Sequence, residues 1–279
     1  MRARKSFHII IGIVLIGLPI ALLGFLNQSD APVHQQIEEI PKALRAFFAS
    51  STPQLHEYIE VTDGCGPYFG EGCLNVRSGP GEEFPKVGQL RNGVVLKVGA
   101  KAINDKGDIW YRVVFDEWLR YPERVTDEWY VAGEYVRSFF DIGTQELKDD
   151  EMVSSTKRIV VDRSEQMLYA YEGQQLFAQE SISTGLELTP TPRGSFTVYK
   201  KTPSRYMQGP LPGISEKYYD LPGVPWNLFF THQGAVIHGA YWHDKFGQVW
   251  SSGCVNLPLD NARRLYEWAE IGMTVVVRD

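Results

Sequence analysis

The sequence predicts a mainly β protein with an N-terminal transmembrane helix, a small β-barrel, and a larger β-rich domain carrying one clear helix. Three observations carry this reading. Short runs of alternating apolar residues, parted by Gly and Pro turns, fill residues 58–142 and recur over residues 157–279, as expected of half-buried strands. One stretch, residues 258–270, repeats its apolar residues at helical spacing instead. At the other end, an apolar run over residues 9–26 follows Arg2, Arg4 and Lys5.

That run is interrupted only by Gly and Pro19, and it has about the ~18–20 residues a helix needs to cross a bilayer. A cleaved signal has a shorter apolar region and a small-x-small cleavage site. Leu26-Asn27-Gln28-Ser29-Asp30-Ala31 offers no such site. Residues 1–27 are therefore read as an anchor, in preference to a cleaved signal, with the basic end inside. Both readings place the rest of the chain outside the cytoplasm, the first held at the membrane and the second secreted. A net charge of −6, with acidic and basic residues mixed along the chain, argues against a nucleic-acid partner.

Residues 28–57 contain Pro32, Pro41 and Pro53 and read as a stalk. Strand-like runs then follow at Leu74-Asn75-Val76-Arg77, Val94-Val95-Leu96-Lys97-Val98, Trp110-Tyr111-Arg112-Val113-Val114 and Trp129-Tyr130-Val131-Ala132. Polar residues 143–156 read as a linker. Beyond it come Arg158-Ile159-Val160-Val161, Met167-Leu168-Tyr169-Ala170-Tyr171, Gly194-Ser195-Phe196-Thr197-Val198-Tyr199, Ala235-Val236-Ile237-His238 and Thr274-Val275-Val276-Val277. The helix is marked by Leu259, Ala262, Leu265, Tyr266 and Ala269, with Gly272 as its stop.

The chain has three cysteines. Cys65 and Cys73 flank a Gly-rich stretch that can bend back on itself, so an exported protein would pair them, two free thiols being the alternative. Cys254 is left over, and a lone thiol in an exported protein calls for a role. It follows Gly253 and precedes the predicted helix, whose positive end would lower the thiol pKa. The N–H groups of Gly253 and Cys254 would then face a developing oxyanion. His232, His238 and His243 are the histidines of this region. His238 ends a strand and has no close acidic neighbour, so the Gly239 carbonyl is the nearest group to orient it as a general base. A buried core thiol and a structural histidine are the plain alternatives. Three histidines with one cysteine also raise a metal site, but their spacing matches no common ligand pattern. Neither a metal nor a cofactor is expected.

Residues 74–81, Leu-Asn-Val-Arg-Ser-Gly-Pro-Gly, with the two Trp-Tyr strands, resemble the bacterial SH3-like domain. The resemblance implies a β-barrel that either binds cell-wall peptide or serves as a spacer. Residues 116–127 depart from the short pattern of that family. Further on, Ile237-His238-Gly239 is joined to Ser251-Ser252-Gly253-Cys254-Val255-Asn256, with Cys254 sixteen positions after His238. Ser183-Thr184-Gly185 and Thr189-Pro190-Thr191-Pro192-Arg193-Gly194 lie upstream. Together these resemble the L,D-transpeptidase catalytic domain. One departure is Ser252, where most members carry His.

The resemblance implies an enzyme acting on peptidoglycan stem peptides, with Cys254 as nucleophile and His238 as base. Cys254 would attack the third stem residue, expel the terminal D-alanine, and pass the acyl group to an amine. Water as acceptor would make it an L,D-carboxypeptidase. A wall-binding protein with a decayed site is the non-catalytic alternative. Ser251, Ser252 and Asn256 are expected to shape the pocket, and Tyr241, Trp242 and His243 to rim it. The long connection over residues 201–231 is rich in Pro, Gly and aromatics. Tyr206, Tyr218, Tyr219 and Trp226 within it are expected either to line a cleft or lid or to plug the sheet.

Overall fold

The computed structural model describes residues 53–279 except 69, 71, 149–154 and 212–214. Strand β1, His56–Val61, pairs with β4, Val95–Ile103, on one side and with β7, Val136–Asp141, on the other. Around this seam lie β2 (Leu74–Arg77), β3 (Lys86–Leu90), β5 (Ile109–Val113) and β6 (Trp129–Ala132). The resulting seven-stranded sheet runs β3-β2-β6-β5-β4-β1-β7. Alternation puts Leu74 and Val76, Leu96, Val113, and Trp129 with Val131 into its core. His56 and Glu57, expected in the stalk, belong to β1. A Cys65–Cys73 disulfide closes the loop that follows β1.

The second part holds two five-stranded sheets. One orders β11 (Gln175–Ser181), β10 (Met167–Glu172), β9 (Lys157–Asp162), β17 (Thr274–Arg278) and β12 (Gly194–Thr197). The other orders β16 (Val255–Leu257), β15 (Val236–Gly239), β14 (Ser215–Phe229), β13 (Lys200–Leu211) and β8 (Gln145–Glu146). Helix α1, Leu259–Trp268, buries Ala262, Leu265 and Tyr266, which join Ile159, Leu168, Leu228, Ile237 and Val255 in one core. Strand β8 lies within the segment expected to be linker.

The mainly β reading with one helix holds among the described residues. The expected N-terminal membrane helix is corrected: among the described residues no helix is long and apolar enough to cross a membrane. Residues 9–26, on which that expectation fell, lie outside the described residues. A second correction concerns residues 201–231, which form most of the hairpin β13/β14 and not an irregular connection. Bulges between Arg205 and Met207 and at Pro210 absorb part of its irregular sequence.

This hairpin packs on the SH3-like sheet. Val224 and Tyr241 sit in the SH3-like core, while Tyr58 and Val95 sit in the core of the other part. Ser204 Oγ donates to the Val95 carbonyl at 2.5 Å. Gly223 has φ +61°, and a Cβ there would lie 2.4 Å from that same carbonyl, so only glycine allows so close an approach.

Candidate active site

Strands β15 and β16 run parallel, with Ile237 beside Val255 and His238 beside Asn256. A parallel pair needs a crossover of a dozen or more residues. That requirement accounts for the separation of sixteen positions: the chain leaves β15 after Gly239 and returns at Cys254, just ahead of β16. Both side chains line one cavity of about 820 Å³.

His238 is only 1% exposed. Its Nδ1 lies 3.0 Å from the Gly239 carbonyl; because a carbonyl only accepts, Nδ1 carries the proton and donates. The Nε2 lone pair is then the basic position, and this buried atom has no hydrogen-bond partner. Burial lowers the His238 pKa to about 4, and Arg205 and His243 push the same way against the Gly239 hydrogen bond. The ring is neutral at neutral pH.

Cys254 is a free, half-buried thiol whose Sγ lies 3.8 Å from the Gly234 carbonyl. Desolvation raises its pKa, opposed by the Val236 N–H and by Arg205. This reverses the expected effect of the helix. Strand β16 and Pro258 separate Cys254 from α1, so the thiol lies outside the first turn, where the dipole acts.

The turn carrying Cys254 is held from behind. Thr191 Oγ1 donates to the carbonyls of Gly253 (3.0 Å) and Cys254 (3.3 Å) and accepts the Gly185 N–H at 2.9 Å. Ser251 Oγ donates to the Cys254 carbonyl at 2.5 Å. It also accepts the Gly253 N–H at 3.1 Å, so that N–H, expected to face an oxyanion, is already occupied. Ser183 and Asn256 exchange backbone hydrogen bonds at 2.9 Å each. A Cβ on Gly185 would meet the Thr189 carbonyl at 2.1 Å and the Gly253 Cα at 2.8 Å. The two upstream motifs are thus the bed on which this turn rests.

Ser251, Ser252, Asn256, Trp242 and Tyr219 line the cavity, whereas Tyr206, Tyr218, Trp226, Tyr241 and His243 do not. Trp226 is a core residue at 3% exposure, packed on Phe139 and Tyr266. Tyr241 is also buried and donates to the Pro222 carbonyl at 2.7 Å. Tyr218 stands outside, against Tyr121 and Arg124.

His243 contacts Asn256. Its Nδ1 accepts the Lys245 N–H at 3.1 Å, and its Nε2 lies 2.8 Å from the Asn256 side-chain amide. Burial lowers its pKa to about 4, so the ring is neutral and Nε2 carries the proton. The Asn256 amide is placed with Nδ2 facing that nitrogen and Oδ1 buried without a partner; turning the amide over would present its oxygen to the Nε2 proton.

Residues 156–277 match the family model of the L,D-transpeptidase catalytic domain, and residues 72–137 match that of the bacterial SH3 domain. The chain carries an L,D-transpeptidase catalytic domain behind a bacterial SH3 domain. Similar solved structures include an L,D-transpeptidase from Mycobacterium smegmatis, 22% identical, covering 65% of this chain and 93% of that one at TM-score 0.43. L,D-transpeptidase 3 from Mycobacterium tuberculosis is 17% identical over 65% of this chain and 94% of its own, at TM-score 0.42. The catalytic domain from Enterococcus faecium L,D-transpeptidase is 25% identical over 46% of this chain and 100% of its own, at TM-score 0.40. Among curated proteins none matches the chain.

The cavity is also lined by residues that the motifs did not single out. Arg205, Met207 and Gln208 come from β13, and Tyr219 and Leu221 from β14, while Arg91, Trp118 and Arg120 come from the SH3 domain. Of these Tyr219 was among the aromatics expected there, and period-two alternation along β14 carries the signal for Leu221. For Trp118 and Arg120 the only sign in the sequence is the excess length of residues 116–127.

Proposed function

We propose that this chain is a peptidoglycan L,D-transpeptidase acting outside the cytoplasm, with Cys254 as nucleophile and His238 as general base. The observation that carries the reading is a neutral imidazole, oriented by the Gly239 carbonyl, that shares one cavity with the free thiol of Cys254. The Cys65–Cys73 disulfide accords with an oxidising compartment.

At rest the pair is thiol and imidazole. As Sγ attacks the carbonyl of the third stem residue, His238 Nε2 takes the thiol proton, and the Gly239 carbonyl supports the imidazolium that forms. The tetrahedral oxyanion is met by the Cys254 N–H, and by the Gly253 N–H if it exchanges Ser251 Oγ for the oxyanion. Collapse expels the terminal D-alanine, whose nitrogen takes the proton from His238, and leaves a thioester on Cys254. An amine of a neighbouring stem then attacks the thioester, with His238 Nε2 accepting its proton, and the thiol is regenerated.

Mass spectrometry of muropeptides after incubation with the full chain tests this reading. Dimers crosslinked between third residues are expected. Tripeptides alone would replace transfer by hydrolysis, and unchanged muropeptides would contradict the reading.

A further inference from the structure

The charged groups around the catalytic cavity are one-sided. Its walls include Arg91, Arg120 and Arg205 and no carboxylate, although the chain as a whole has a net charge of −6. Arg205 projects from β13 with Nη1 buried and without a hydrogen-bond partner. Arg120 is exposed and makes no ion pair among the described residues. Beside it at the cavity wall stands Trp118, 82% exposed, a large apolar surface left to solvent.

Arg120 and Trp118 belong to the insertion over residues 116–127 of the SH3 domain, and this segment is tied to the catalytic hairpin. Glu117 Oε1 accepts the Tyr206 N–H at 2.7 Å, Tyr121 N–H donates to Gln208 Oε1 at 3.0 Å, and Arg124 pairs with Asp220 at 2.9 Å. Glu117 also adjoins Arg205 in the neighbouring hollow, where desolvation pushes its carboxyl up to about 7.

We propose that Arg205, together with Arg120 from the SH3 domain, binds the terminal carboxylate of the acyl donor, so that the SH3 insertion completes the substrate site. A guanidinium matches a carboxylate with two parallel hydrogen bonds. In a donor that loses its last residue, this carboxylate lies one residue beyond the scissile carbonyl, about 4 Å further along the chain. Arg205 acts electrostatically on both Cys254 and His238, which places its charge near the reacting atoms. Trp118 then covers the apolar side of the departing residue. The identity of the donor rests on the transpeptidase reading, whereas the anion preference of the cavity does not.

Two measurements on the full chain separate these. Cys254 is alkylated with iodoacetate and with iodoacetamide, which differ by a carboxylate, in the wild type, Arg120→Gln and Arg205→Gln. The ratio of iodoacetate to iodoacetamide rates should fall about threefold or more in each variant and about tenfold in the double variant, the scale of a charge-assisted hydrogen bond. A ratio unchanged in both single variants overturns the proposal, and the exposed Arg120 position keeps this test independent of folding. Stem tetrapeptides ending in carboxylate or carboxamide are then compared as donors. Amidation should lower kcat/KM about tenfold in wild type and less than twofold in Arg205→Gln. A penalty that survives both substitutions overturns the assignment to the donor carboxylate. If neither donor reacts, the functional reading fails, and the alkylation ratio still decides whether the arginines select anions.

Discussion

The imidazole of His238 donates from Nδ1 to the carbonyl of its own successor, Gly239, at 3.0 Å. A backbone group thus holds the tautomer and ring orientation that a carboxylate provides in other catalytic triads. His238→Gln should lower transfer by about 10²-fold or more, the scale of a lost general base. His243→Ala should cost less, because His243 touches Asn256 and not the cavity. Steady-state kinetics of both variants would show the assignment to be reversed if His243→Ala were the more damaging.

The two buried histidines also set an acid limit on stability. Both are held near 4 against an ordinary value of ~6.5, so between these limits the unfolded chain binds more protons than the folded one. Stability is fully present above about pH 6.5 and declines as the pH falls toward 4, by on the order of 3 kcal/mol per histidine at the lower end. Urea unfolding at a series of pH values should show this slope, and His243→Gln should roughly halve it. Activity per folded molecule should show no loss centred near 6.5, because His238 remains neutral there.

Much of this was legible in the sequence for a simple reason. Strands such as β2, β6, β9 and β17 bury alternate residues, and α1 buries every third or fourth, so their periods survive in the text. The pairing of His238 with Cys254 was legible through a family spacing, which the parallel crossover between β15 and β16 now explains. The hairpin β13/β14 was not, since Pro203, Pro210, Pro222 and Pro225 and its bulges break the period of two. The environment of Cys254 was also misread. Proximity to α1 along the chain suggested a lowered thiol pKa, but three residues of β16 intervene and burial raises it.

Thr191 and Gly185 are expected to matter without touching substrate. Thr191→Val keeps the shape and removes two hydrogen bonds to the turn that carries Cys254 and one from Gly185, at an expected cost of about 1–3 kcal/mol. Gly185→Ala places a methyl group against the Thr189 carbonyl and should displace the same turn. Thermal unfolding together with kcat should show a larger fall in turnover than in folded fraction at 25 °C. Wild-type turnover in Gly185→Ala would show that the turn can shift without consequence.

Ser252 lines the cavity beside Cys254, at the position where the resembling family usually has His. An imidazole there would offset part of the desolvation that raises the thiol. Ser252→His should therefore lower the Cys254 pKa read from the pH dependence of iodoacetamide alkylation, about one unit corresponding to a tenfold change in thiolate fraction. Transfer should rise less, since a more stable thiolate is a weaker nucleophile. An alkylation profile identical to wild type would make the serine a neutral replacement.

The central claim is that acyl transfer passes through a thioester on Cys254. Intact-mass analysis of the full chain, mixed with a stem tetrapeptide and quenched in acid, tests it most directly when paired with measurement of released D-alanine. Wild type should gain the mass of the donor less its terminal D-alanine, localised to the peptide containing Cys254 and removed by hydroxylamine. Cys254→Ser should show neither this thioester nor appreciable D-alanine release, because its hydroxyl is far less ionised at neutral pH. Release of D-alanine by Cys254→Ser at the wild-type rate would contradict the account.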